Sequence, residues 1–376
     1  MSFIENFAKQ ESRLRPRLTG INPWLSIFLF SNGRKAFLNS LIHQDYKSRT
    51  AQLFSTEEKK IWDIKFRSSL FNAAGVFKYG TGYELCAYQG AGAYLCGTTT
   101  AAKREGNKKK GILHPFAAFP KSFCAVNWMG LPNEGHELVA KRLSEINKID
   151  GCPVGASVAY SPEHHGDIAL NGLLNGLELF DRANVDFIEV NESCPNVPHE
   201  CSDETIDGLD IYMVQRLEFI AEKFLKKRSR NLPVIVKFSV DTDEQNLPYL
   251  LSLLIDLGFD GVNFGNTSTN YQIIREQIVP EEQMLYDYFI SNFGGGVSGK
   301  ALKKDSLNLA AKAATVIKEL SLSKEFHVIR TGGISSAEDL IDSKANGISL
   351  NQWFTGYFEN FSIHGHELYK SMNLLT

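Results

Sequence analysis

The sequence of 376 residues predicts an α/β fold, a (β/α)8 TIM barrel, preceded by an N-terminal helical extension. Two observations support this prediction. From residue 68 onward, eight short apolar runs alternate with amphipathic helical patterns, and polar residues or glycines follow nearly every run. A doubly wound open sheet is the alternative, but it requires a nucleotide fingerprint after the first strand, where none is present. The length alone allows one large domain or two ordinary ones.

The chain divides into two predicted parts. Residues 1–65 form the helical extension, divided by Pro23 and by a turn at Ser31-Asn32-Gly33. Residues 66–376 form the barrel. The predicted strands are "LFNAAGV" (70–76), "GAYLCGT" (92–98), "PVGASV" (153–158), "DFIEVN" (186–191), "PVIVKF" (233–238), "GVNFGN" (261–266), "FHVIRTGG" (326–333) and "NGISLNQ" (346–352).

Charge and cysteine usage limit the classes of function. The balance of 40 basic against 43 acidic residues argues against a nucleic-acid partner recognised by bulk charge. Six cysteines without a C-x-x-C pair indicate neither a disulfide framework nor a metal cluster. No apolar run is long enough for a bilayer, so we expect a cytoplasmic protein.

The extension differs in charge from the rest of the chain. Residues 1–60 carry ten Lys or Arg against five Asp or Glu, and they include the apolar run "PWLSIFLF" at 23–30. Such a basic amphipathic segment predicts peripheral contact with the inner face of the cell membrane, although a solvated extension is the plainer interpretation.

If the chain is a barrel, its functional groups lie where the strands end and the βα loops begin. Lysines at such positions are the most informative residues, because an ammonium group inside a barrel requires an anionic partner. The residues at these ends are Lys78, Thr98, Ser157, Asn191, Lys237, Asn266, Thr267, Gly332 and Gly333.

Glycines late in the chain predict a phosphate site. Residues 294–299 read GGGVSG before a helical pattern, and Gly332-Gly333 follow the seventh strand. Backbone N–H groups at such positions bind phosphate, and barrels place that site after strands seven and eight. The run also resembles a P-loop, but Ala301 stands where the P-loop needs Ser or Thr.

Other chemistries find less support in the sequence. The close histidine pairs His164-His165 and His364-Gly365-His366 lack the H-E-x-x-H spacing and an evident third ligand, so we expect no metal site. No Ser-His-Asp arrangement or nucleophile elbow is evident.

Cys194 lies just past a predicted strand, in the stretch "NESCPN". A thiol in a polar loop is chemically available, whereas a structural cysteine is usually buried in a strand. No histidine stands at another strand end to activate a nucleophile, so a general base is the better interpretation. The flanking Asn191 and Asn196 offer donors and acceptors that suit a flat heterocycle.

With these residues in view, the chain from about 62 to 374 resembles the dihydroorotate dehydrogenases, flavin-dependent barrels of pyrimidine synthesis. Nine blocks in the order of that family carry the resemblance. They are "AAGVFK" (73–78), "GTTT" (97–100), "NWMGLPN" (127–133), "NESCPNVP" (191–198), "VIVKF" (234–238), "GNTS" (265–268), "GGGVSGKAL" (294–302), "GGI" (332–334) and "SLNQWFTG" (349–356).

The resemblance implies a cofactor, FMN, and a role for each matching residue. Cys194 would take a proton from C5 of dihydroorotate while hydride passes from C6 to the flavin, Lys78 would contact both substrate and flavin, and Lys237 would stabilise the charge of reduced flavin. The pyrimidine would be bound by Lys78, Asn127, Met129, Gly130, Leu131, Asn191, Asn196, Asn266 and Thr267. FMN would be bound by Ala74, Gly75, Thr98, Ser157, Asn191, Lys237, Gly265, Gly299, Gly332, Gly333, Phe354 and Thr355.

The chain mixes features of two classes within the family. The long extension and Lys78 resemble the quinone-linked, membrane-associated class, which generally has serine in place of Cys194. Cys194 resembles the soluble class, which uses fumarate or a partner subunit. Ser157 and Glu192 replace an asparagine and an aliphatic residue.

The sequence therefore predicts oxidation of dihydroorotate to orotate, with electrons passing to a quinone. A flavin enzyme acting on another dihydropyrimidine and a flavin-binding barrel without turnover are the alternatives within this fold. A lysine Schiff-base aldolase is the alternative from another class, with Lys237 as the reactive amine.

Overall fold

The computed structural model describes residues 2–44, 58–192, 205–206 and 208–372. The α-helices in chain order are α1 (Phe3–Leu18), α2 (Pro23–Ile42), α3 (Tyr83–Gln89), α4 (His136–Ser144), α5 (Gly166–Arg182), α6 (Ile211–Lys223), α7 (Leu247–Asp256), α8 (Tyr271–Arg275), α9 (Pro280–Phe293), α10 (Lys303–Glu319), α11 (Ala337–Ala345), α12 (Thr355–His364) and α13 (Leu368–Ser371). The strands are β1 (Lys59–Ile61), β2 (Ile64–Phe66), β3 (Leu70–Asn72), β4 (Tyr94–Thr99), β5 (Lys108–Lys109), β6 (Ile112–Leu113), β7 (Phe116–Phe119), β8 (Cys124–Asn127), β9 (Val154–Val158), β10 (Phe187–Asn191), β11 (Thr205–Ile206), β12 (Leu209–Asp210), β13 (Val234–Phe238), β14 (Gly261–Phe264), β15 (Gly296–Gly299), β16 (His327–Thr331) and β17 (Leu350–Trp353).

Eight of these strands form one parallel sheet in the order β3-β17-β16-β14-β13-β10-β9-β4. Each apolar run of the sequence supplies one strand, and all the printed pairings within the sheet are parallel. The predicted (β/α)8 barrel with N-terminal helices is therefore confirmed. Near-continuous burial of the strands explains why they appear as apolar runs rather than as alternating patterns.

The ring closes between β3 and β4 through a side chain. The Asn72 carboxamide accepts a hydrogen bond from the Leu95 N–H at 3.1 Å and donates one to the Leu95 carbonyl at 2.7 Å. Beyond it, the Gly75 N–H donates to the Gly97 carbonyl, and the Gly97 N–H donates to the Phe77 carbonyl. The buried amide of Asn72 therefore substitutes for ladder hydrogen bonds that the short strand β3 cannot make.

A β-hairpin closes the amino-terminal end of the barrel. Strands β1 and β2 pair in antiparallel register, and Trp62 and Phe66 pack with inward-facing residues such as Phe187 and Ile235. The Trp62 indole N–H donates to the Asp260 carbonyl at 2.9 Å. The sequence did not indicate this hairpin, because its strands are three residues long and lie in the segment assigned to the helical extension.

A second, three-stranded antiparallel sheet, β7-β8-β15, packs beside the barrel. Its register places Asn127 opposite Gly296 and Cys124 opposite Gly299. Two sequence blocks far apart in the chain, 124–133 and 294–302, are thereby joined at one surface.

Of the two N-terminal helices, α2 packs against this second sheet and α1 packs against α12. The helix α1 begins with a capping box at Ser2, and α2 begins at Pro23, one of the two points at which the sequence was expected to divide the extension. Ile27 and Phe30 of α2 are buried in the cluster that contains the second sheet. Within the described residues, none of the helices is long and apolar enough to cross a membrane.

The predicted turn at Ser31-Asn32-Gly33 is wrong, because α2 continues through it. The Ser31 hydroxyl donates to the Ile27 carbonyl at 2.6 Å, and the Asn32 carboxamide donates to the Phe28 carbonyl at 2.8 Å. Both polar side chains therefore hydrogen-bond to carbonyl groups one helical turn earlier, and the helix continues without a chain reversal.

Candidate active site

A deep cleft opens at the carboxyl ends of the barrel strands, as expected for this fold. It holds about 1080 Å³ of empty space, its open mouth included. Most of the site residues predicted from the sequence line it. These are Ala74, Gly75, Lys78, Thr98, Asn127, Met129, Leu131, Asn191, Lys237, Asn266, Thr267, Gly299, Gly332, Gly333, Phe354 and Thr355.

Three predicted residues lie behind the wall of the cleft instead. Ser157 is fully buried, one layer deeper in the barrel. Gly130 and Gly265 have φ of +72° and +119°, and a Cβ at Gly265 would lie 1.5 Å from the Thr331 carbonyl oxygen. The two glycines thus shape the wall through their backbone. Cys194 and Asn196 lie outside the described residues.

Hydroxyl and amide groups form a connected chain along one side of the cleft. The Asn191 carboxamide donates to Thr98 Oγ1 at 3.1 Å and accepts from Asn266 Nδ2 at 3.3 Å. The Thr267 N–H donates to Asn266 Oδ1 at 2.9 Å. Thr267 Oγ1 is buried and has no hydrogen-bond partner among the described residues, so it is available to a ligand.

Two lysines reach this cleft from different strands. Lys78 follows β3, and its Nζ lies 3.5 Å from the Met129 sulfur. Lys237 is on β13 and is almost completely buried, with its Nζ 3.8 Å from Glu189 Oε1 and 3.4 Å from Gln352 Oε1. The prediction that a lysine inside the barrel needs an anionic partner is confirmed, and the partner is Glu189.

The sequence analysis did not identify Glu189. Its carboxylate lies beneath the cleft and accepts hydrogen bonds from Ser157, Asn263 and Gln352. One feature of the sequence could have revealed it: within the run "DFIEVN" the glutamate stands two positions before Asn191, and therefore on the same face of the strand.

Backbone groups dominate the opposite end of the cleft. Gly299, Gly332 and Gly333 have φ of +105°, +117° and +69°, a conformation that strains other residues. A Cβ at Gly299 would lie 2.3 Å from the Phe123 carbonyl oxygen. Helix α12 begins at Thr355, whose hydroxyl lies 2.9 Å from that of Ser298. The N–H groups of this end are suited to an anion.

Glu359, one turn further along α12, also lines this end and was not predicted. Its carboxylate accepts no hydrogen bond from the described residues. Burial raises the pKa of Glu359 to about 7, against the opposing attraction of Arg15 on α1. The remaining unpredicted lining residues are Ala73, Ser298, Lys300, Leu302, Thr331, Ile334, Ser335, Trp353 and Gly356.

The Glu192 side chain is accounted for by an ion pair. Arg216 of α6 donates to Glu192 Oε2 from Nε at 3.0 Å and from Nη2 at 2.8 Å, and both side chains are largely buried. The guanidinium also lies over the Tyr160 ring, 5.4 Å from its centroid. The acidic residue that departs from the family pattern therefore has a structural partner.

The cysteines within the described ranges are buried, and none lines the cleft. Burial raises the pKa of Cys96 and of Cys124 to about 12, which makes these thiols poor bases at neutral pH. In the same part of the chain, no group of three His, Cys, Asp or Glu residues is arranged to hold a metal ion.

Comparison with known proteins gives consistent matches. A sequence model of the family described as "Dihydroorotate dehydrogenase" matches residues 57–372. The chain is 29% identical over 374 residues to "Dihydroorotate dehydrogenase (quinone)" of Christiangramia forsetii, covering 96% of this chain and 97% of that protein. It is 30% identical over 302 residues to the protein of the same name from Nautilia profundicola, covering 79% of this chain and 73% of that protein.

Solved structures show the same architecture. The crystal structure of DHODH in complex with ferulenol from Eimeria tenella matches with a TM-score of 0.69 and 17% sequence identity, covering 92% of this chain and 89% of that chain. A match at this identity shows a shared fold.

Proposed function

The chain belongs to the dihydroorotate dehydrogenase family, and on that premise we propose that it oxidises dihydroorotate to orotate with FMN as its bound cofactor. One observation carries the proposal: a single cleft combines a buried lysine, a row of amide and hydroxyl groups, and a glycine-lined end suited to an anion. These are the groups needed for a flavin ring, a pyrimidine and a phosphate.

The residues of the cleft fit FMN. Gly299, Gly333 and the first turn of α12 supply N–H groups for the phosphate, and side chains at these two glycines would clash with backbone. Lys237 would lie beside the ring as a fixed cation in a dry site. Bound FMN supplies an acceptor for the hydride that leaves C6 of dihydroorotate.

The amide row would hold the pyrimidine. Asn127, Asn191, Asn266 and the unpartnered Thr267 hydroxyl lie at the end of the cleft where Lys78 enters, and amide and hydroxyl groups match the carbonyl and N–H groups of the ring. Lys78 would bind the substrate carboxylate. Met129, Gly130, Leu131 and Asn196 complete the proposed contacts.

Cys194 is the proposed base that removes the proton from C5. Strand β10 ends at Asn191, whose side chain lines the cleft, so the chain leaves the barrel at the rim of the site three residues before Cys194. The thiols of Cys96 and Cys124 do not line the cleft, and burial raises the pKa of each to about 12. A base at this position would remove the proton from C5 on the side of the ring that the site sets relative to the hydride leaving C6.

A quinone is the proposed electron acceptor, as the names of the relatives suggest for those proteins. Helix α2 reaches the wall of the cleft, where Arg34 Nη2 lies 3.3 Å from the Met129 sulfur. The outer face of the same helix exposes Trp24, Leu25, Phe28 and Leu29. We infer that this face makes peripheral contact with a membrane, which would bring a lipid-soluble acceptor to the cleft.

Surface variants of the full chain test the membrane contact. The double variant Trp24→Ser/Phe28→Ser should bind anionic vesicles several-fold more weakly than the wild type, while Tyr249→Ser, an exposed aromatic on α7, should bind as the wild type does. Equal vesicle binding by all three proteins would contradict the proposal.

An anaerobic visible spectrum of the purified protein, before and after dihydroorotate, tests the main proposal. Bleaching of a flavin band is the expected result, followed by recovery of colour with a soluble quinone. Recovery with fumarate alone would overturn the quinone assignment. A flavin that only another dihydropyrimidine reduces would overturn the substrate, and a protein without flavin would overturn the cofactor.

A further inference from the structure

Glu189 is a carboxylate enclosed completely by the barrel. Its side chain is 0% exposed and points toward the barrel axis from β10, two residues before Asn191 on the same face of the strand. A charge in such a place is costly unless its hydrogen-bonding capacity is met. Neither packing of the apolar core nor contact with the ligands of the cleft accounts for its presence.

Side chains from three other strands of the barrel, β9, β14 and β17, meet the hydrogen-bonding capacity of Glu189. Gln352 Nε2 donates to Oε2 at 2.7 Å, Asn263 Nδ2 donates to the same oxygen at 2.8 Å, and the Ser157 hydroxyl donates to Oε1 at 3.2 Å. The carboxylate is thus fixed in position by groups that are themselves held by the barrel.

The same network reaches Lys237. Its ammonium lies 3.8 Å from Glu189 Oε1, too far for a strong hydrogen bond, and 3.4 Å from Gln352 Oε1. Gln352 therefore bridges the two charges, and its orientation is set further by the Thr331 hydroxyl, which donates to Oε1 at 3.1 Å. The charge of the cation is thereby opposed from below by the Glu189 carboxylate.

Glu189 also affects the balance of charge around the cleft. The charged side chains that line it are Lys78, Lys237, Lys300 and Glu359, and Glu189 lies directly beneath Lys237. In a site with little water, a carboxylate this close to the cation changes the field at a bound ring far more than a surface charge would.

We propose that Glu189 is a positioning residue that holds the Lys237 ammonium and sets the redox potential of the bound flavin by offsetting part of that cation's charge. This inference rests on the proposed FMN cofactor and adds to it a residue below the site. Removing the negative charge would make the surroundings of the flavin more positive, which favours the anionic reduced form and thus raises the midpoint potential.

The test compares Glu189→Gln with a matched control, Glu282→Gln. Glu282 is equally buried and also accepts three hydrogen bonds, from the Lys121 N–H, the Ser122 N–H and the Ser122 hydroxyl, but it belongs to α9 and not to a strand of the barrel. Loss of a buried carboxylate is therefore common to both variants, and only Glu189→Gln changes the charge beside Lys237.

The readouts are the midpoint potential of the bound flavin and its affinity for sulfite, which adds to N5 and binds more tightly when positive charge lies near N1. We expect Glu189→Gln to raise the potential and to tighten sulfite binding at least about tenfold at pH 6 and at pH 8, since one unit charge acts at short range. Glu282→Gln should match the wild type in both measurements.

Wild-type values in Glu189→Gln would overturn the proposal, as would the same shift in both variants. If Glu189→Gln does not fold, Glu189→Asp, which retains the charge but withdraws it by one methylene, must displace the potential, and a wild-type value there would equally overturn it. A purified wild-type protein that binds no FMN would instead refute the proposed function, so the two failures are distinguishable.

Discussion

The interior of the barrel has two adjacent layers of opposite character. Toward the amino-terminal end, the strands β10, β13, β16 and β17 contribute Phe187, Ile235, Ile329 and Leu350, which pack against the hairpin β1–β2. Two residues further along the same four strands stand Glu189, Lys237, Thr331 and Gln352. The lower layer gains stability from burying apolar surface, whereas the upper layer incurs the cost of desolvated polar groups and gains a fixed electric field.

The comparison shows how a barrel separates stability from chemistry within one set of strands. A step of two residues moves along the same inward face by about 7 Å, so each strand supplies a residue to both layers. Changes in the lower layer should therefore alter stability and leave the flavin chemistry intact, and changes in the upper layer should alter the flavin chemistry.

Lys237→Met should show the largest effect on chemistry. We expect the rate of flavin reduction by dihydroorotate, measured anaerobically by stopped flow, to fall about 10²–10³-fold, because a fixed charge beside the reacting ring is lost. The single variant should also lose stability, since it leaves Glu189 buried without its ion-pair partner.

A double variant separates these two consequences. Lys237→Met/Glu189→Gln removes both charges and should recover most of the stability without recovering the rate. Recovery of the rate in the double variant would contradict the role proposed for Lys237.

Phe187→Ala should show the converse behaviour. It removes a fully buried ring that packs against Phe66 and Phe71, at centroid distances of 6.2 and 6.0 Å. We expect the free energy of unfolding to fall by about 3–5 kcal/mol in urea titrations. The midpoint potential of the bound flavin should remain that of the wild type, and a shift in it would show that the two layers are not independent.

Cys194→Ser tests the proposed proton transfer. A serine base needs higher pH than a thiol, so the pH dependence of flavin reduction should move upward. Cys201→Ser, in the same stretch of sequence, is the control and should retain the wild-type profile. An unchanged profile in Cys194→Ser would remove the cysteine from the role.

Glu359→Gln tests a buried carboxyl at the glycine-lined end of the cleft, which accepts no hydrogen bond from the described residues. Burial raises the pKa of Glu359 from 4.5 to about 7, so between these values the folded protein retains a proton that the unfolded chain has released. Wild-type stability therefore falls as pH rises from about 4.5 to 7. Glutamine does not titrate, so the stability of Glu359→Gln should not fall in this way between pH 4.5 and 7.

The stability difference should identify the group. Glu359→Gln should equal the wild type near pH 4.5 and exceed it by at most about 3 kcal/mol at pH 8, measured by urea unfolding across pH. The exposed Glu319→Gln should show no such divergence. A constant difference at all pH values would show that Glu359 does not titrate in this interval.

Much of the fold could be predicted because the barrel strands are buried on both faces. Runs such as "PVIVKF" have no polar interruption except the functional Lys237, so strand and site residue were found together. The hairpin β1–β2 and the sheet β7-β8-β15 were missed because their strands are short and, unlike the equally short barrel strands β3, β14 and β17, are not buried throughout.

The site was predicted less completely for a different reason. Polar residues at strand ends were predicted because of their position after an apolar run. Glu189 lies inside a strand and Glu359 lies on a helix, and in those places the sequence does not distinguish a functional charge from a structural one. Their importance comes from what surrounds them in three dimensions. The prediction of a chain reversal at Ser31-Asn32-Gly33 was wrong for a similar reason. Hydrogen bonds to the preceding helical turn and packing of α2 against the second sheet override the local preference of these residues for a turn.

The pairing of β8 with β15 acts as a molecular ruler. Asn127, proposed for the pyrimidine, and Gly299, proposed for the phosphate, stand at opposite ends of a pair of four-residue strands, separated by three residues of extended chain or about 10 Å. The distance between the two binding ends is thereby fixed by strand length. Evolution can exchange individual side chains on this pair of strands, but a single inserted or deleted residue would displace one end from the other and mismatch both ligands at once.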